Sequence, residues 1–80
     1  MDEQPVIETL TTILQDLLED SSITLNSTTV REDVAGWDSF AYVNFIVAVE
    51  TQFGIRFRVA DVESFQSVGD IVNEIRELTS

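Results

Sequence analysis

Ser39, in the run Gly36, Trp37, Asp38, Ser39, Phe40, stands where a Ser/Thr-rich loop hands over to an apolar helix. A hydroxyl at such a junction is reachable by solvent and faces the positive end of the helix, which suits it to carry a phosphate. That chemistry is attachment, not catalysis. The plainer reading is that a serine at a helix start caps an orphan backbone N–H. Other reactive groups are scarce. Cysteine and histidine are absent and all four basic residues are arginine. Disulfides, the commoner zinc sites, a Ser/His or Cys/His nucleophilic pair and a lysine Schiff base are therefore excluded within this chain. The many carboxylates read as solvated helix faces, since an acidic surface without a pocket defines no acid/base pair.

The elements that must position Ser39 fit in one domain, residues 1–80, with a small core. Fifteen acidic residues against four basic ones give a net charge of -11. This balance argues against nucleic acid and anionic membranes and for basic protein partners. Asp2 and Glu3 occupy the place where a signal peptide needs positive charge. The longest apolar run, about Val43 to Val49, is too short to insert into a bilayer. The expectation is a cytoplasmic monomer.

Val6, Ile7, Leu10, Ile13, Leu14, Leu17 and Leu18 recur at three- and four-residue spacing, predicting a helix from about Pro5 to Glu19. Asp20 to Trp37 reads as a long packed crossover, with a short turn near Arg31 to Val34. A second helix should begin at Asp38 or Ser39 and stop at Gly54, a residue suited to a left-handed cap. Ile55, Phe57 and Val59 alternate with Arg56 and Arg58, which predicts an extended stretch with its arginines outward. Asp61 is placed to cap one turn through Val62 and Phe65. Ser67 and Asp70 match a capping box ahead of a final helix with a core stripe of Val68, Ile71, Val72, Ile75 and Leu78. The fold class expected is all-α: a small four-helix bundle, three longer helices plus one short helix, with a long loop between helices 1 and 2.

The second helix is apolar on two sides. Tyr42, Phe45, Ile46, Val49 and Phe53 form one stripe, while Phe40, Asn44, Val47 and Thr51 line the opposite side with Val43 at its edge. A small bundle can bury only one. Scattered exposed apolar residues are normal, but a second stripe beginning beside Ser39 reads better as a partner-binding face.

Taken together, Gly36 to Phe40, the apolar helix ending at Phe53, Gly54 and Ile55, and the segment Ser67 to Ile71 resemble the acyl carrier proteins, the phosphopantetheine-carrying domains, over essentially the whole chain. The resemblance implies that Ser39 receives 4'-phosphopantetheine from coenzyme A, through a phosphodiester made by a separate phosphopantetheinyl transferase. The arm's thiol then shuttles acyl groups as thioesters between the acyl-loading and acyl-processing enzymes of fatty acid, polyketide or related lipid biosynthesis. The chain itself is then no enzyme. Asp38 either caps the helix or helps dock the transferase or its metal ion. Trp37 and Phe40 flank the arm and are open to partners, although Trp37 can equally pin the long loop to the core. One departure matters. Many fatty-acid carriers display several carboxylates on the outward side of this helix, whereas here Ala41, Asn44 and Thr51 stand in such positions and Glu50 is the one acid between Phe40 and Gly54. A partner contact with a larger apolar share is expected. The Asp38, Ser39, Phe40 run also looks like that of D-alanyl carriers, which load an amino acid. Outside the family, the alternative is an acidic helical interaction module whose serine is only a cap.

Overall fold

The computed structural model describes residues 3–79. Four α-helices follow in order: α1 (Glu3–Leu18), α2 (Ser39–Phe53), α3 (Val59–Ser64) and α4 (Val68–Thr79), with a 3-10 turn at Arg31–Asp33 inside the long loop. Among the described residues there is no strand. α1 packs against both α2 and α4. Pro5 lies in the first turn of α1, where a missing N–H costs nothing. Val6, Ile7, Leu10 and Leu14 are buried from this helix, and Ile13, Leu17 and Leu18 pack at the edge of the core. The helix stops one residue short of its predicted end because Glu19 turns left-handed at φ 53°. There the Asp20 N–H donates to the Gln15 carbonyl at 3.0 Å and the Glu19 N–H to the Asp16 carbonyl at 3.3 Å. This pair of bonds is a Schellman closure built without glycine.

The long loop is packed by Ile23 and Leu25, both buried. It also makes the start of α4. The Val68 N–H donates to the Thr29 carbonyl at 2.9 Å and the Gly69 N–H to the Ser27 carbonyl at 2.8 Å. Thr29 is held in turn by its hydroxyl, which accepts the Asn26 N–H at 2.9 Å. The capping box expected from Ser67 and Asp70 therefore forms only in altered form. The Asp70 carboxylate reaches back, but to the Gln66 N–H at 2.9 Å, loop carbonyls take the Val68 and Gly69 amides, and the Asp70 N–H that the serine hydroxyl would serve goes to the Ser67 backbone carbonyl at 3.1 Å.

Between α2 and α4 two further expectations need correction. Ile55 and Phe57 face inward, but Val59 is 73% exposed, because α3 begins there and the helical period replaces the alternation. Asp61 is not the cap: Arg58 holds that position, and the Asp61 carboxylate instead accepts the Arg58 Nε–H at 3.2 Å. On α4, Val68, Ile71, Val72 and Ile75 are buried, whereas Leu78, in the last turn, is exposed.

Candidate functional site

The end of the long loop fixes the site. Val34 to Trp37 close a turn, with the Trp37 N–H donating to the Val34 carbonyl at 3.3 Å and Gly36 at φ 87°, a left-handed geometry that favours glycine. Trp37 is then driven into the core at 5% exposure. Its ring meets Phe45 edge-on, centroids 5.2 Å apart, and Tyr42 at 6.4 Å. Immediately afterwards Asp38, Ser39 and Phe40 emerge into solvent. A buried indole followed by three exposed residues is an anchored pedestal.

Asp38 is the N-cap of α2. Its backbone is extended, its carboxylate accepts the Ala41 N–H at 2.9 Å, and its carbonyl takes the first helical bond from the Tyr42 N–H at 2.8 Å. This arrangement removes the capping role from Ser39. Capping belongs to Asp38, and the Ser39 hydroxyl, on the first helical residue, has no hydrogen-bond partner among the described residues. An exposed, uncommitted primary hydroxyl at the positive end of a helix fits a phosphodiester: the oxygen is free to form the ester, and the dipole favours the added charge.

Outward from Ser39, Phe40 is 77%, Val43 56% and Val47 55% exposed, with Asn44 and Thr51 exposed as well. The opposite stripe is in the bundle: Phe45, Ile46 and Val49 are buried, and Tyr42 and Phe53 are half-buried. Trp37 does not belong to the exposed face. Its burial leaves no indole surface for a partner, and of the two roles open to it the structural one, pinning the loop, is what the packing provides. Glu50 is committed inward too, its carboxylate accepting the Phe57 N–H at 2.7 Å. The outward face of α2 thus presents no free carboxylate past Asp38.

Two residues beside the site make contacts that local patterning does not show. Arg31, in the 3-10 turn, places its guanidinium 4.8 Å from the centre of the Tyr42 ring. Tyr42 donates its hydroxyl to the Val62 carbonyl at 2.8 Å, tying α2 to α3. Burial raises the Tyr42 phenol above its usual 10.0, opposed in part by the charge of Arg31. Behind Trp37 and Tyr42 lies a half-enclosed cavity of about 280 Å³, walled by Thr29, Arg31, Phe65 and Ile71 among others. No group of histidine, cysteine, aspartate and glutamate among the described residues could hold a metal ion.

Residues 8–75 match the family model described as the phosphopantetheine attachment site. The chain belongs to the acyl carrier protein family. A solution NMR structure of a holo acyl carrier protein from Geobacter metallireducens is similar over 92% of this chain and 85% of that one, at 30% identity and a TM-score of 0.84. As an acyl carrier protein the chain is a carrier and not an enzyme, and its cofactor is covalently attached 4'-phosphopantetheine. A carrier of this kind meets a phosphopantetheinyl transferase and acyl-handling enzymes. Among the described residues, no helix is long and apolar enough to cross a membrane.

Proposed function

We propose that Ser39 is the attachment residue, and that the chain works as a cytoplasmic, monomeric carrier of thioester-bound acyl intermediates in fatty acid, polyketide or related lipid biosynthesis. The observation that carries this reading is the division of labour at the helix start, where Asp38 caps and the Ser39 hydroxyl stays free and exposed. The bound arm supplies a thiol that holds the cargo. The chain's own residues present it: Trp37 anchors the pedestal, Gly36 makes the turn into it, and α2 aims its positive end at the phosphate. A chain without cysteine, histidine or lysine also offers no side-chain nucleophile of those types to take the acyl group.

Partners that visit the arm dock, in this reading, on Phe40, Val43, Asn44, Val47 and Thr51. The contact is largely apolar, because Glu50 is engaged with the Phe57 amide and the negative charge of the chain lies chiefly on other elements. The attachment is tested by incubating the protein with coenzyme A and a broad-specificity phosphopantetheinyl transferase, then measuring intact mass and titrating thiols beside Ser39→Ala. One added arm and one new thiol are expected, both lost in the variant. With no cysteine in the chain, any thiol belongs to the arm. A folded, unmodified protein that gains no mass with several transferases would refute the assignment.

A further inference from the structure

Arg31 is the one basic residue ahead of Arg56 in a chain of net charge -11. Arg58 pairs with Asp61 at 3.2 Å, whereas Arg31, half-buried in the 3-10 turn, has no ion-pair partner among the described residues. Two carboxylates of the same loop are turned to backbone amides instead: Asp33 accepts the Val30 N–H at 3.1 Å and Asp38 the Ala41 N–H at 2.9 Å. What Arg31 meets is the Tyr42 ring, its guanidinium 4.8 Å from the centre. That ring is fixed by the bond from its hydroxyl to the Val62 carbonyl. Stacking on a ring leaves the N–H donors of the guanidinium without an acceptor among the described residues.

Ser39 and Tyr42 are three residues apart on α2, hence surface neighbours with Cβ atoms about 5–6 Å apart. At about 100° per residue, Tyr42 lies about 60° round the helix from Ser39 on one side. Val43, Val47 and Phe40 lie about 40°, 80° and 100° round on the other. Arg31 therefore stands on the side of Ser39 away from the exposed apolar face.

Resting on the reading of Ser39 as the attachment residue, we infer that Arg31 is a positioning residue for the arm, its guanidinium reaching from the Tyr42 ring to the phosphodiester oxygens on Ser39. The contact is a charge-assisted hydrogen bond, bidentate where the planar fork meets two oxygens. It also offsets the repulsion between the added phosphate and the adjacent Asp38 carboxylate. The base of the arm is drawn toward the long loop, and Phe40, Val43 and Val47 stay uncovered for partners.

The test compares apo protein with holo protein made with coenzyme A and a phosphopantetheinyl transferase and verified by intact mass. Nitrogen NMR follows the Nε–H signals of the four arginines, that of Arg31 being assigned by its loss in Arg31→Lys. On loading, the Arg31 signal should move most and exchange more slowly with solvent. The phosphorus resonance of the arm should differ between wild type and Arg31→Gln. At low salt the change in Tm on loading should be more favourable in wild type than in Arg31→Gln by roughly 1–8 °C, with Arg31→Lys recovering part of the difference. Added salt should shrink it. An Arg31 signal unmoved by loading, or equal Tm changes in wild type and Arg31→Gln, would overturn the proposal and leave Arg31 as a support for the Tyr42 ring alone. Where Arg31→Gln does not fold, the wild-type spectra decide. Failure to load at Ser39 shows in the mass alone and refutes the attachment reading on its own terms, taking this inference with it.

Discussion

Gly69→Ala opposes two effects of known size at the seam between the long loop and α4. Gly69 is a helical residue, and helix propensity alone favours alanine by up to about 1 kcal/mol. Sterics oppose it. A Cβ at this position would stand 2.7 Å from the Ser27 carbonyl oxygen and 3.5 Å from the Ser27 carbonyl carbon and Cβ. The nearest atom is backbone, so it cannot swing aside as a side-chain tip would. The Gly69 N–H also donates to that same carbonyl at 2.8 Å, so retreat of the loop lengthens the bond that caps the helix. The neighbouring Val68 to Thr29 bond is strained with it. Overpacking costs about 1–3 kcal/mol, and each weakened hydrogen bond about 0.5–1.5 kcal/mol. Against the propensity gain of up to about 1 kcal/mol, the net is a destabilisation of about 1–5 kcal/mol. For a domain of this size that lowers Tm by roughly 5–40 °C. Urea and thermal unfolding followed by circular dichroism measure it. A Tm equal to or above that of the wild type would show that the loop yields freely and would refute the argument that it is a fixed cap.

Glu19→Gly should act in the opposite direction. A left-handed non-glycine residue at the end of α1 bears about 1–2 kcal/mol of strain, part of which glycine's greater unfolded-state entropy offsets, so a gain of about 0.5 kcal/mol in urea midpoint stability is expected. A loss would mean that the Glu19 side chain makes a contribution larger than the strain. Tyr42 sets an alkaline limit. Its folded pKa is raised, so the unfolded chain ionises first as pH climbs past 10.0, and the stability this group contributes, intact below that pH, is lost above it. The chain has one tyrosine and no lysine or cysteine, so Tyr42→Phe should flatten stability between about pH 10 and 12. At neutral pH the same variant should cost about 0.5–1.5 kcal/mol for the bond to the Val62 carbonyl. Superimposable alkaline limbs would contradict this. Partner affinity should fall only slightly between low and physiological ionic strength, because the exposed face of α2 is apolar. A steep salt dependence, measured by titration calorimetry, would place the docking energy in charge pairs instead.

Much of this fold was legible in the sequence, for physical reasons that differ by element. The two stripes of α2 separate cleanly because helical spacing alone assigns Phe45 and Val49 to one side and Phe40 and Val47 to the other. Gly54 marks the helix end through its own conformational freedom, at φ 65°. Val59 was misread because alternation fits Ile55 to Phe57, and nothing local announces that a helix begins one residue after Arg58. The start of α4 departs from the local capping pattern because the Val68 and Gly69 amides are satisfied from Thr29 and Ser27, a partnership between distant segments, while the Asp70 N–H turns to the Ser67 carbonyl. At the site, the exposed pair Asp38 and Ser39 was readable as a pair. Which of them caps depends on a carboxylate reaching the Ala41 N–H, and the burial of Trp37 depends on packing against Phe45.

The carbonyls of Ser27 and Thr29 that receive the first amides of α4 also bear on the order in which the molecule can assemble. An isolated helix as short as α4, 12 residues, is marginal in water, and its costly step is nucleation. Here the nucleus lies partly in a segment on the far side of α2, so α4 gains a stable start only once the loop has closed over it. Opening at either end is then felt at the other. The Val68 and Gly69 amides, which in an ordinary first helical turn exchange quickly with solvent, should exchange with the slow cooperative unit of the protein, and loosening the loop should release both together. The loop that delivers Trp37 to the core and Ser39 to the surface is thereby clamped at a second point, and the pedestal beneath the attachment hydroxyl inherits the rigidity of the last helix.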